Sequence, residues 1–171
     1  LFDGVDIRQL ATEDLQRKVG VMPQEPCLFS GTVRENLQVG FPEYSDDHIL
    51  SIARIGGVDE FVSHLPDGYD TVLREKGAGL SGGQKQAISL SRALLHNPNI
   101  VILDEPTSSM DQNSEAQIVE RLNKFSEGKT LLIITHRNAL LAICDRILVM
   151  ENGKIISDNT PEELGVTKLV T

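Results

Sequence analysis

The sequence predicts an α/β fold in which a largely parallel sheet carries a helical insert. Two observations lead there. Continuous apolar runs, Ile100 to Leu103 and Thr130 to Thr135, alternate with segments of helical spacing, and strands that are apolar throughout belong in a parallel sheet covered on both faces. The character of the chain also shifts near Ser45 and again near Asn99. That shift divides one domain, 1–171, into an α/β core (1–44 and 97–171) and a helical subdomain (45–96).

The elements follow in order. Leu1 to Ile7 reads as a hairpin end with Asp3-Gly4 as its turn. Thr12 is expected to cap a short helix through Leu15, with Glu13 and Asp14 suited to its positive end. Val19 to Met22, stopped by Pro23, is a buried strand; Gln24 to Gly40 is mostly loop, with one short helix near Val33. Ser45-Asp46-Asp47 starts a helix whose apolar side is Ile49, Leu50, Ile52 and Ala53. Asp59 starts another that ends near Pro66, and Leu65 to Gly79 is turn-rich. Ser81 to His96 carries the strongest helical pattern: Ala87, Leu90 and Leu94 form one stripe, Ile88 and Leu95 flank it, and Asn97-Pro98 stops it. After the strand Ile100 to Leu103, Ile118, Val119, Leu122 and Phe125 space a further helix. A short helix near Asn138 to Ile143 follows the strand Thr130 to Thr135. Asn152-Gly153 then joins Arg146 to Met150 with Lys154 to Ser157 in a hairpin.

Composition excludes several classes. The chain has 171 residues, 40% of them hydrophobic, which is too apolar for a disordered tail. Its net charge of -9 argues against non-specific nucleic-acid binding, which needs a basic surface. Cys27 and Cys144 form no Cys-x-x-Cys pair and read as two reduced, buried thiols. No apolar run approaches the roughly 18 residues that would span a bilayer.

Three motifs carry chemistry. Asp104 and Glu105 end the strand Ile100 to Leu103, at the carboxyl edge where α/β sheets bind ligands. A strand-end Asp can hold Mg²⁺ through water, and the adjacent Glu can polarise a water for attack on a γ-phosphate. Ser81, Gly82, Gly83 and Gln84 open the strongest helix, where unpaired amides and a positive dipole end favour an anion. Taken alone, an ordinary Ser N-cap explains that segment as well. His136 follows the strand Thr130 to Thr135 directly, and Gln24 follows Val19 to Met22. One sheet edge can thus gather Gln24, Asp104, Glu105 and His136, where an imidazole can orient an attacking water.

In this order, Gln24, LSGGQ, ILDEPTSSMD and Thr135-His136 resemble the nucleotide-binding domain of ABC transporters over nearly the whole chain. The resemblance implies a phosphate-loop-NTPase type of sheet with the helical subdomain particular to that family, truncated at its N-terminus. Gln24 then matches the Q-loop, Ser81 to Gln84 the signature, Asp104 the Walker B aspartate and Glu105 the general base. Ser108 to Asp111 matches the D-loop, so Asp111 joins the nucleotide-binding set, and His136 matches the switch histidine. ATP and Mg²⁺ are the implied ligands, with Asp104 and Gln24 serving the metal. PCLFSGTVRENL (Pro26 to Leu37) and Asp67 to Thr71 resemble the exporter branch, and the segment is most similar to type I secretion or bacteriocin exporters. Glu75, ahead of Gly77, resembles the loop that meets the coupling helices of a transmembrane domain. Arg74 departs from the Gly common there. The other implied partner is a second nucleotide-binding domain, head to tail, at the cytoplasmic face of a membrane.

One motif is a decoy. Gly128-Lys129-Thr130 resembles the end of a Walker A loop, but the glycine that should open the motif falls on Asn123, and the order is helix to strand rather than strand to helix. Without a Walker A segment these residues are expected neither to bind ATP tightly nor to hydrolyse it. They are also expected to leave apolar sheet surface exposed. Two other classes fit less well. A DNA-repair or chromosome-organising ATPase would place a long coiled coil between Gln24 and Ser81, where no heptads occur. A non-catalytic module would keep only the signature half.

Overall fold

A computed structural model describes residues 1–2, 4–39 and 44–167. Its centre is a three-stranded parallel sheet in the order β1 (Val19–Met22), β4 (Ile100–Asp104), β5 (Thr130–Ile134). Met22 pairs with Leu103 and Asp104 with Ile134. All three strands therefore end on one edge. Helix α5 (Gly82–Leu94) packs against β1 and β4. The contact is close because of Gly20: a Cβ there would lie 2.0 Å from the Ala93 carbonyl oxygen and 2.8 Å from Pro98 Cγ. Gly56 serves the same purpose between α3 (Asp46–Gly56) and α5, since its Cβ would lie 2.1 Å from Ser91 Oγ. Around α5 the core gathers Ile49, Ile52 and Ala53 from α3, Val58 and Val62 from α4 (Val58–Val62), and Ile118, Val119 and Leu122 from α6 (Gln112–Phe125).

Local chemistry explains the helix starts. Ser45 caps α3 by accepting from the His48 amide, and Ser81 caps α5 in a full capping box with Gln84. Helix α2 (Val33–Leu37) has a second capping box from Thr32 and Glu35. Helix α3 stops at Gly57, which takes the left-handed conformation (φ 80°). Asn152 and Gly153, both at positive φ, turn the hairpin of β6 (Ile147–Glu151) and β7 (Lys154–Asn159), which an Arg146–Asp158 ion pair straps on its exposed side.

Several expectations need correction. Thr12 does not cap α1 (Thr12–Lys18): it is the first helical residue, Ala11 stands at the cap, and no side chain bonds there. Cys27 is exposed rather than buried, while Cys144 is half-buried; neither forms a disulfide among the described residues. The short helix α4 starts at Val58 because Gly57 already turns the chain. The described residues cover only one face of the sheet. Gly20, Met22, Val101 and Leu103 turn to the α5 side, while Val21, Leu132 and Ile134 on the other side are all more than half exposed.

Two residues from each side of the expected boundary at 44/45 also pair, β2 (Gly31–Thr32) with β3 (Val72–Leu73). The segment between β1 and α2 is thereby tied to the turn-rich stretch after α4. Phe2 and Val5 bridge antiparallel around the expected N-terminal turn, although Asp3 lies outside the described residues. Helix α7 (Asn138–Leu141) follows β5. Gly128 takes φ 71° between α6 and β5, so the decoy segment leaves a helix and enters a strand. No described helix is long and apolar enough to cross a membrane.

Candidate functional site

The shared strand edge collects the predicted residues. Asp104 is the last residue of β4, half-buried, and Gln24 lies exposed two residues beyond β1, the neighbouring strand. Glu105 leaves β4 at φ 48°, a left-handed conformation that a non-glycine residue adopts only when its surroundings over-determine it. Its amide donates to the Ile134 carbonyl of β5 at 2.8 Å. Its carboxylate is mostly buried and meets His136: Nδ1 lies 2.7 Å from Glu105 Oε1. His136 itself is largely open to solvent. The second oxygen, Glu105 Oε2, is buried and has no hydrogen-bond partner among the described residues. A buried carboxylate oxygen without a donor is costly, and a water or hydroxyl brought by a ligand would satisfy it.

A second cluster lies beside the first. Ser81, Gly83 and Gln84 line a cavity of about 300 Å³ together with Ser109, Met110, Asp111 and the α3–α4 corner. Gly82 and Gly83 let the start of α5 approach the turn after β4, since a Cβ on either would stand 3.0 Å from Ser109 atoms. Gln84 is spent locally, its Oε1 accepting from the Ser81 amide at 2.9 Å. Asp111 caps α6, accepting from the Ser114 hydroxyl and from the Ser114 and Asn113 amides. Chiefly the Ser114 hydroxyl, then the amides, hold its carboxyl below the usual carboxylate range. No hydrogen bond joins Ser81 to Gln84 with the side chains of Asp104, Glu105 or His136 among the described residues.

Four polar residues that sequence reasoning missed bind the turn 105–110 in place. Gln86, on α5, is buried and donates from Nε2 to the Ser108 hydroxyl at 2.7 Å and the Glu105 carbonyl at 3.2 Å, while its Oε1 accepts from the Ser109 amide at 2.9 Å. On the other side, Thr107 donates to Glu115 Oε1 at 2.6 Å, and Arg137 donates to Glu115 Oε2 at 3.1 Å and to the Ser108 carbonyl at 2.8 Å. Arg137 is the residue after His136, so these bonds hold the turn around His136 against the turn that carries Glu105. A signal was available for two of them. Gln86 shares the helical stripe of Leu90 and Leu94, and Glu115 that of Ile118, Val119 and Leu122. A polar residue on a buried stripe must find partners.

A model of the ABC transporter family matches residues 1–108. This chain belongs to the ABC transporter family. It is 44% identical over 166 residues to multidrug resistance protein 1 of Entamoeba histolytica, covering 95% of this chain and 13% of that protein. It is 42% identical over 164 residues to a protein of Staphylococcus aureus named as a multidrug export ATP-binding/permease protein, covering 96% of this chain and 28% of that one. Among solved structures, a bacterial Atm1-family ABC exporter with ATP bound superposes with a TM-score of 0.88 at 32% identity, over 96% of this chain and 29% of that chain. The expected α/β ABC fold is therefore the observed one, and the chain spans less than a third of the length of these relatives.

The donor set fits Mg²⁺ only in part. Among the described residues no group of three or more His, Cys, Asp or Glu side chains is placed to hold a metal. Mg²⁺ commonly keeps several waters and takes one or two protein oxygens together with substrate phosphates. Asp104 and Gln24 suit that smaller share.

Proposed function

We propose that these residues are the signature, Walker B and switch-histidine portion of the ATP-hydrolysing motor of an ABC exporter. The observation that carries this reading is the Glu105–His136 pair at the shared strand edge, with Glu105 Oε2 buried and without a donor among the described residues. Glu105 would take the proton of an attacking water, and His136 would hold the carboxylate at Oε1 while facing the solvent-open side where the γ-phosphate arrives. Asp104 and Gln24 would hold Mg²⁺, which neutralises phosphate charge when bound. Ser81, Gly82, Gly83 and Gln84, with Asp111 beside them, would meet the nucleotide of a second nucleotide-binding domain across the cavity they line. Exposed Glu75 and its turn would face the coupling helices of a transmembrane domain. Such a motor works at the cytoplasmic face of a membrane, and the net charge of -9 argues against non-specific nucleic-acid binding.

We take residues 45–96 as its helical subdomain and 1–44 with 97–171 as its α/β core. The multidrug names of the relatives favour export of small molecules, and a type I secretion subtype rests on the sequence resemblance alone. No Gly-rich loop ending in Gly-Lys-Ser/Thr precedes a helix within these residues. The reading therefore requires a phosphate loop from outside them.

His136→Ala in the full-length protein tests the reading. It should lower MgATP hydrolysis at least about tenfold with ATP affinity largely kept, as measured by phosphate release and equilibrium binding. Unchanged turnover would remove His136 from the site.

A further inference from the structure

We propose that Gln86 is a positioning residue for the general base, coupling the signature helix to Glu105 of the same chain. This rests on the role of Glu105 given above. Glu105 occupies a conformation that is unfavourable for a residue with a side chain, so its φ of 48° has to be held by neighbours. Three contacts hold its main chain. Its amide donates to Ile134, and its carbonyl accepts from the Ser108 amide and from Gln86 Nε2. Of these, only Gln86 comes from the helical subdomain.

The Gln86 side chain is the right chemical type for this task. One amide supplies two donors and an acceptor, and here it satisfies the Glu105 carbonyl, the Ser108 hydroxyl and the Ser109 amide together, at 2 % exposure. Its backbone lies two residues beyond Gln84 in the helix that Ser81 caps. Motion of that helix start therefore pulls directly on the backbone of Glu105. It does so through a direct side-chain contact, in addition to the packing of α5 against β1 and β4. The Arg137–Glu115–Thr107 pairings tie the same turn to α6 and to the segment after β5, so a shift of Gln86 changes the aim of the carboxylate rather than sliding the whole turn.

The test uses the full-length protein with Gln86→Glu. That change keeps an acceptor for the Ser109 amide but sets a carboxylate oxygen against the Glu105 carbonyl. The expected result is a fall of about tenfold to a hundredfold in kcat, the size of effect a misplaced catalytic group produces, with KM for ATP within about twofold. Lowering the pH protonates the new carboxyl, which then donates to the Glu105 carbonyl. Activity relative to wild type should therefore rise as pH falls, while the thermal midpoint measured beside it changes too little to account for the loss. Gln86→Met, similar in volume and helix propensity but without the amide, should show the same kcat loss with no recovery at low pH, and it decides the matter if Gln86→Glu does not fold. Wild-type kcat in either folded variant overturns the proposal. So does a loss that a core variant of equal thermal midpoint reproduces. Glu105→Gln is run alongside: if it hydrolyses ATP normally, the functional reading itself has failed, whereas normal Gln86 variants beside an inactive Glu105→Gln sink only the coupling.

Discussion

Glu105→Gln in the full-length protein is expected to lower MgATP hydrolysis by a factor of about 10² to 10⁴, the contribution of a positioned general base. Binding of ATP should persist. The substitution is nearly isosteric, and an amide oxygen at the position of Oε1 still accepts from His136 Nδ1, which now stands 2.7 Å away. What disappears is the proton-accepting oxygen. Oε2 is buried with no donor among the described residues, and in glutamine that position carries either an NH₂ group or a carbonyl of negligible basicity. Arrested hydrolysis with bound ATP should also hold two nucleotide-binding domains together, visible as an ATP-dependent increase in association. Turnover near the wild-type rate would take the base role away from Glu105.

The second large effect is on folding. Gly20→Val should destabilise the domain by about 3 kcal/mol or more, the upper part of the range for overpacking a close-packed site. A Cβ at Gly20 would stand 2.0 Å from the Ala93 carbonyl oxygen. That oxygen is helix backbone and cannot swing aside as a long side chain can. Helix α5 would have to lift off β1, and α5 carries both the signature start and Gln86. Thermal unfolding of the protein should show a clearly lowered midpoint, with poor recovery of folded material. A midpoint equal to wild type would mean that β1 and α5 are not packed as described.

Much of this arrangement was legible because it is local or periodic. The strand Val19–Met22 and the caps Ser45 and Ser81 follow from apolar runs and side-chain oxygens at helix starts. The Asn152-Gly153 turn needs two residues that tolerate positive φ, and its sequence names them. Other features depend on long-range partners. A two-residue strand such as Gly31–Thr32 has no period to detect, and only its pairing with Val72–Leu73 defines it. Thr12 has the chemistry of a cap, yet Leu15 bonds back to the Ala11 carbonyl and so moves the helix start by one residue. The positive φ of Glu105 carries no compositional mark, since glutamate seldom adopts it. At the site, the strand-end positions of Gln24, Asp104, Glu105 and His136 follow from motif order. The residues that hold the turn after Glu105, namely Gln86, Glu115 and Arg137, show their partners only once two buried helix stripes are packed.

On the function proposed above, these residues would supply the water-activating and signature elements of an ATPase but not its phosphate cradle. The direct measurement is Mg²⁺-dependent phosphate release by a polypeptide of these 171 residues alone, compared with the same residues joined to a strand–loop–helix segment whose Gly-rich loop ends in Gly-Lys-Ser/Thr. No turnover above background is expected from the first, and turnover from the second that vanishes with Glu105→Gln. Hydrolysis by the 171 residues alone, or hydrolysis in the extended polypeptide that ignores Glu105→Gln, would contradict that function.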